Sequence, residues 1–143
     1  MVTRRHAVFA VLCFLAGPAP AAESAVWTAA LAKERYLLAQ MSVSVRGWIR
    51  VEGRRQADGS ATEEAASAAV RERYPGLSPR DVGTLAFVVL MVAARDLDTR
   101  LRDLDDPAAA GELGARRARL ADLLAAMAGR TPDLTSRALR ALR

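Results

Sequence analysis

The longest regular pattern of apolar residues lies between Ser78 and Leu104 and predicts one long helix. Apolar residues recur there at alternating steps of three and four, at Phe87, Leu90, Ala94, Leu97, Leu101 and Leu104. Ser78 is suited to cap the first turn, and Pro79 is suited to the first helical position. A second apolar stripe ends at Asp96. We therefore predict that residues 82–94 are buried on several sides and that residues 95–104 show one face to solvent.

Residues 24–52 contain no proline and also follow a helical period. Their strict three-four spacing, typical of a coiled-coil seam, runs through Trp27, Leu31, Glu34, Leu38, Met41, Val45, Trp48 and Glu52. Glu34 is a charged exception, for which there are two interpretations. It is either a seam carboxylate with raised proton affinity, or a side chain that reaches water or pairs with an arginine such as Arg35 or Arg80. The second interpretation is favoured.

The segment between these two helices predicts a loop, a short helix and a turn. Residues 53–59 are polar with glycine at both ends, which is typical of a loop. Ser60 and Glu63 have the spacing of a capping box, so a helix is predicted from Ser60 to about Tyr74. Tyr74 is interpreted as closing the base of the following Pro-Gly turn, with a binding role as the alternative.

Three carboxylates, Asp103, Asp105 and Asp106, follow the central helix. Oxygen ligands suit calcium, but the spacing lacks the glycine and distal glutamate of a calcium loop. Asp106 is instead predicted to cap a helix over 107–128 that begins at Pro107 and ends at Gly129.

A short final helix is predicted over 134–143. It is expected to dock on the bundle or to be loosely attached within 129–143, and the alternative is a helix that binds a membrane surface or a partner. Together these elements predict an all-α fold, either a small helical bundle or a long antiparallel helical hairpin with short accessory helices. Segments 24–52 and 79–104 are the expected antiparallel neighbours, within a single domain over 22–143.

The first 21 residues have the order of a secretory signal peptide: a basic start, an apolar run over 7–15 and small residues before a cleavage point after Ala21 or Ala22. The apolar run is about half the roughly 20 residues that a membrane-spanning helix needs. An uncleaved anchor or a buried first helix is the alternative. The expected location is therefore periplasmic or secreted.

Removal of this leader changes which chemistry the chain can perform. It removes two arginines, which lowers the formal charge from +5 to +3. It also removes Cys13 and His6, which are the one cysteine and the one histidine of the sequence. Disulfides, thiolate catalysis, histidine bases and the usual zinc, copper and haem ligand sets are excluded for the mature chain. We assign no catalytic residue, metal site or cofactor.

The candidate binding residues are arginines. The densest cluster is on the second helical segment and a smaller one is at the C-terminus, and together they comprise Arg46, Arg50, Arg54, Arg55, Arg137, Arg140 and Arg143. They are interpreted either as solvated helix ends or as contacts to an anion or lipid. No aromatic interleaving or phosphate loop accompanies them, so specific nucleic-acid binding is not expected.

These features predict an exported, non-enzymatic helical protein that acts by binding a protein partner or by self-association. All but one of the 21 basic residues are arginine, a composition associated with GC-rich bacteria, so the bacterial envelope is the expected setting. Binding to a membrane surface or an anionic polymer through the arginines is the alternative. A hydrolase or lyase that uses carboxylates alone is disfavoured, because the spacing places no two acids in one predicted cleft.

Overall fold

The computed structural model describes the backbone of residues 19–143 and the side chains of residues 25–143. Within this part of the chain, six helices form a bundle and no strand is present. They are α1 (Ala19–Ala39), α2 (Val43–Asp58), α3 (Glu63–Arg73), α4 (Pro79–Arg102), α5 (Pro107–Ala128) and α6 (Ser136–Ala141). The predicted all-helical class is confirmed. The predicted signal peptide falls mainly on residues 1–18, which lie outside the described residues, and it stays a prediction.

Helix α4 forms the centre of the bundle, because α1, α2, α3 and α5 all pack against it. It begins as predicted, with Pro79 in its first turn and Ser78 Oγ accepting a hydrogen bond from the backbone N–H of Asp81 at 3.2 Å. Its residues from 82 to 94 are buried except Gly83 and Val92, which are partly buried. The predicted central scaffold is therefore confirmed. None of the helices within residues 19–143 combines the length and apolar character that crossing a membrane requires.

The predicted continuous helix over 24–52 is wrong, because the chain breaks at residues 40–42. Ser42 caps α2, its Oγ accepting a hydrogen bond from the backbone N–H of Val45 at 3.4 Å. A serine in this role satisfies a free N–H group that would otherwise lack a partner. Met41 and Val45 are both buried. The apolar stripe therefore continues across the break and conceals it in the sequence.

Helix α2 also continues to Asp58, through the residues for which a loop is predicted. Gly53 is buried inside this helix where it crosses α4. The glycine serves the close approach of two helices and does not end one. The predicted loop over 53–59 is reduced to a short connection that begins at Gly59.

The directions of the helices differ from the predicted hairpin. Gly53 meets Val92, and further along both helices Asp58 pairs with Arg100, so α2 and α4 run in the same direction. The short helix α3 returns the chain to the start of α4, which makes this parallel arrangement possible. The predicted antiparallel pairing is therefore wrong for α2.

Helix α5, in contrast, runs antiparallel to α4. Arg117 in α5 pairs with Asp98 near the end of α4, whereas the backbone oxygen of Pro132, beyond α5, accepts a hydrogen bond from Thr84 near the beginning of α4.

The remaining helix ends test three capping predictions. Asp106 caps α5 as predicted, its Oδ1 accepting a hydrogen bond from the N–H of Ala108 at 3.0 Å. Gly129 follows the end of α5, also as predicted. Helix α3, however, is capped by Thr62 and not by Ser60. Ala61 has a left-handed backbone with φ of 47°, so the chain is still turning after Ser60.

The C-terminal segment packs onto the bundle. Its helix is shorter than predicted, covering Ser136–Ala141 with Thr135 as its cap. Leu134, Ala138 and Leu142 are all buried in the hydrophobic core. Among the arrangements left open for residues 129–143, the structure has the docked one.

Candidate functional site

Four arginines line one cleft between α1, α2 and α4. Three are candidates from the sequence, Arg46, Arg50 and Arg54, and the fourth is Arg95 on α4. The spacing of four residues along α2 places the first three on the same side of that helix. The cleft has a volume of about 340 Å³, and its apolar lining comes from Leu38, Ile49 and Val92.

Glu34 is buried in this cleft, with a side chain only 1 % exposed. Its Oε1 accepts a hydrogen bond from Arg95 Nη1 at 2.6 Å. Burial raises the pKa of Glu34 above its usual 4.5, although the charge and hydrogen bond of Arg95 and the charge of Arg35 oppose the rise. The favoured interpretation is right that Glu34 pairs with an arginine, but the partner is Arg95, and the side chain is buried and does not reach water, because α1 holds it against α4. The alternative of raised proton affinity agrees with the pKa shift.

Asp96 is a second carboxylate in the cleft. Its Oδ2 lies 2.6 Å from Arg100 Nη2, and its Oδ1 lies 3.9 Å from Arg54 Nε. Sequence spacing alone places no two acids in one cleft, and it is the packing of α1 against α4 that brings Glu34 and Asp96 together. The one sequence signal for this pair is that each acid interrupts or ends an apolar stripe, at Glu34 and at Asp96.

Arg55, the fourth candidate on α2, does not line the cleft. It binds Glu52 on its own helix, with Arg55 Nη2 donating to Glu52 Oε1 at 2.8 Å and Arg55 Nε donating to Oε2 at 3.0 Å. Gln56 donates a further hydrogen bond to Glu52 Oε1. Burial alone would raise the pKa of Glu52, but these hydrogen bonds and the charge of Arg55 outweigh it and lower the pKa below 4.5.

The side of α2 that faces away from α4 exposes apolar residues. Val43 is 78 % exposed and Val51 is 70 % exposed, and Gly47 lies between them at helical spacing. Arg50 and Arg54 are exposed beside this stripe. We refer to these five residues as the α2 outer face.

The three C-terminal candidates, Arg137, Arg140 and Arg143, are all exposed and do not line the cleft. Arg143 lies in a shallow depression together with Ser44 in the first turn of α2 and with Arg73. Arg137 lies in a separate depression with Asp81. Of the seven predicted arginines, three therefore line the cleft together, and the other four lie elsewhere on the surface.

Tyr74 has the structural place that the sequence favours. Its ring makes an edge contact with Trp48, with centroids 5.4 Å apart, and Arg73 stacks on it at 4.9 Å. Burial raises the pKa of Tyr74 above its usual 10.0. The tyrosine fixes the turn before α4 against α2.

The described residues include no group of three or more histidine, cysteine, aspartate or glutamate side chains that could hold a metal ion. Asp106 of the acidic cluster is used as a helix cap. The assignment of no metal and no cofactor stays a prediction.

Comparisons with family models, with curated proteins and with solved structures each returned no match for this chain.

Proposed function

We propose that this chain is an exported, non-enzymatic protein of the bacterial envelope that binds an acidic helical segment of another protein along the α2 outer face. The observation that carries the proposal is the exposure of Val43 and Val51 on a helix whose opposite side is packed against α4. Covering a valine side chain is worth roughly 1.5–3 kcal/mol. Val43 and Val51 lie on one side of α2 with arginines beside them, an arrangement that suits the apolar face of a partner helix.

Gly47 supports a helix as the covering element. An added Cβ at Gly47 would meet nothing within 4 Å, so the fold itself does not require a glycine there. Glycine inside a helix costs about 1 kcal/mol relative to alanine. A partner helix that crosses at Gly47 would gain from the missing side chain, because small residues permit close helix approach.

The charge of the α2 outer face supports an acidic partner. Arg50 and Arg54 flank the valines, and the carboxylate of Glu52 is buried and bound by Arg55. The face thus carries cations and no free acid. A second copy of the chain placed on it would bring arginines against arginines, and this repulsion disfavours self-association through the same face.

A photo-crosslinking residue at position 51, used in the native envelope, tests this proposal. The expected product is a cross-link to an acidic segment of one protein. The matched position is Ala118, which is exposed on α5 and should give no such product. Arg54→Glu should abolish the cross-link, and reversing an acid in the captured segment should restore it. The same reversal at Arg137 is the control and should have no effect.

Two outcomes would contradict the proposal. Cross-links between copies of the chain would indicate self-association. Sizing at low and high salt would then detect the same oligomer. A cross-link that survives Arg54→Glu would exclude charge recognition.

A membrane surface is the second candidate for the arginines. The position of Arg143 and Arg73 near Ser44 extends the basic surface beyond the first turn of α2. Each arginine near an anionic bilayer contributes about 1 kcal/mol, and salt weakens that attraction. Sedimentation with phosphatidylglycerol vesicles, but not with phosphatidylcholine vesicles, and its loss at high salt would favour this candidate over the protein partner.

A further inference from the structure

Three buried polar atoms on residues that line the arginine cleft have no hydrogen-bond partner among the described residues. Glu34 Oε2 and Asp96 Oδ2 are acceptors, and Arg46 Nε is a donor. Asp96 Oδ2 lies 2.6 Å from Arg100 Nη2, so its charge is balanced by an ion pair. A buried polar atom without a partner loses its hydration and gains nothing in return. The other two atoms, Glu34 Oε2 and Arg46 Nε, belong to side chains that line one cavity, so one bound molecule can satisfy both.

The charges of the cleft are incompletely balanced. Arg95 is paired with Glu34, and Arg54 and Arg100 share Asp96. Within residues 25–143, neither Arg46 nor Arg50 has an ion-pair partner. The cleft therefore keeps excess positive charge that suits an anionic group, which a guanidinium binds through charge-assisted hydrogen bonds.

The rest of the lining selects for an apolar body. Leu38, Ile49 and Val92 contribute the apolar part of the lining, and the volume of about 340 Å³ is at the small end of the range for ligand pockets. Inorganic ions would leave this surface uncovered.

We infer that this cleft binds a small organic carboxylate with an apolar body and a hydroxyl or ammonium group. The carboxylate accepts from Arg46 and Arg50, the apolar body covers Ile49 and Val92, and the hydroxyl or ammonium donates to Glu34 Oε2. This inference goes beyond the protein-binding proposal. It shares Arg50 with the α2 outer face but depends on Glu34 and Arg46, which lie outside that face.

Titration of the purified chain with three probes tests the inference, with amide chemical shifts of Val92 and Thr99 as the readout. The probes are 2-hydroxy-4-methylpentanoate, leucine and 4-methylpentanoate, the last of which has a carboxylate but no hydrogen-bond donor. At least one of the two donor-bearing probes should bind about tenfold more tightly than 4-methylpentanoate, because one hydrogen bond to a charged group is worth that factor. Inorganic phosphate should bind more weakly than any of them.

Two substitutions make the test specific. Arg46→Gln should weaken all three organic probes, whereas Arg137→Gln, which removes the same charge from α6, should leave them unchanged. Glu34→Gln should remove the advantage of the donor-bearing probes and leave 4-methylpentanoate nearly unaffected, because the amide oxygen faces Arg95 and the NH₂ group replaces the acceptor. A merely structural role of Glu34 would weaken all probes equally.

Saturable binding that is equal with and without the donor group would overturn the inference, and so would shifts that persist in Arg46→Gln. An absence of saturable shifts for every organic probe would also overturn it and would mean that water alone fills the cleft.

Discussion

Gly53 of α2 and Val92 of α4 lie so close together that a methyl group added at Gly53 would be 2.5 Å from Val92 Cγ1. Nonbonded carbon atoms pack at roughly 3.5–4 Å. The same methyl group would lie 3.1 Å from the backbone oxygen of Val89, which cannot rotate away. The crossing of α2 and α4 therefore depends on glycine at this position.

Gly53→Ala should lower the free energy of unfolding by about 1–3 kcal/mol, because the added methyl group forces the two helices apart. Chemical denaturation followed by circular dichroism measures this change. Val92→Ala introduced into the Gly53→Ala chain should recover part of the loss, since it removes the nearest atom. A Gly53→Ala chain as stable as the natural one would contradict the close crossing.

Gly47 is the matched position on the same helix, with open space around it. Gly47→Ala should raise the free energy of unfolding by about 0.5–1 kcal/mol, because alanine is the better helix former. The same change should weaken the proposed partner contact at the α2 outer face. The stability of the chain should therefore rise while partner binding falls. The cross-linking yield at position 51 measures the binding. A Gly47→Ala chain that cross-links with full yield would argue against a closely crossing partner helix.

The core of α4 makes a simpler prediction. Leu90 and Leu97 are both completely buried. Truncation of either to alanine should cost roughly 2–5 kcal/mol of unfolding free energy, because it removes buried methyl groups and leaves a cavity. Val51→Ala is the exposed control and should change stability by less than about 0.5 kcal/mol. A loss below that size at Leu90 would contradict its position in the core.

The starts of α4 and α5 were predictable from local sequence signals, whereas the capping-box signal at Ser60 was wrong because Thr62 caps α3. In both α4 and α5 a capping residue is followed by proline, so the signal for the helix start lies within the first turn. The starts at Ser78 and Asp106 are both confirmed. The interior of α2 was not predictable in this way. In the local sequence, Gly53 looks like a loop residue. Its role in the helix crossing depends on contact with Val92, which is far away along the chain.

The same distinction applies to the cleft. The regular spacing of Arg46, Arg50 and Arg54 identifies three of its residues, because a single helix fixes their common side. Arg95 and Asp96 belong to the cleft through the packing of α4 against α1 and α2. That packing depends on how the chain breaks at residues 40–42 and returns through α3, which apolar periodicity does not record.

The pH dependence of stability should carry two opposite contributions from glutamates. Glu34 has a folded-state pKa above 4.5, so the folded chain holds this proton more tightly than the unfolded chain. Its contribution to stability is present below pH 4.5 and is lost as the pH rises through the folded-state pKa. Arg95 of α4 and Arg35 of α1 oppose the shift, and Arg46 and Asp96 line the same cleft.

Glu52 has a lowered pKa and the opposite sign. Its contribution is present above pH 4.5 and is lost as the pH falls through its folded-state value. Denaturation of the natural chain, Glu34→Gln and Glu52→Gln between about pH 3 and pH 8 measures both. Relative to the natural chain, Glu34→Gln should become more stable as the pH rises, and Glu52→Gln should become less stable. Parallel curves for all three chains would contradict both assignments.

Asp81 connects the first turn of α4 with the cap of α6. Its Oδ1 accepts a hydrogen bond from the N–H of Thr135 at 3.3 Å, and its Oδ2 accepts from Thr135 Oγ1 at 3.2 Å. Ser78 Oγ donates to the same Oδ2 at 2.8 Å. One buried carboxylate thus stabilises a helix start and fixes the C-terminal segment to it.

Asp81→Ala should therefore release α6 while most of the bundle stays folded. Loss of both hydrogen bonds to Thr135 should cost about 2 kcal/mol or more of local stability, which corresponds to at least a tenfold faster exchange of protected amides. The amide of Leu139, which donates to the backbone oxygen of Thr135 at 2.9 Å, is the direct measurement. Ser78→Ala is the control, because it removes the helix cap of α4 but keeps the carboxylate that holds Thr135. If Ser78→Ala accelerates exchange in α6 as strongly as Asp81→Ala does, the effect passes through the start of α4 and not through the bond between Asp81 and Thr135.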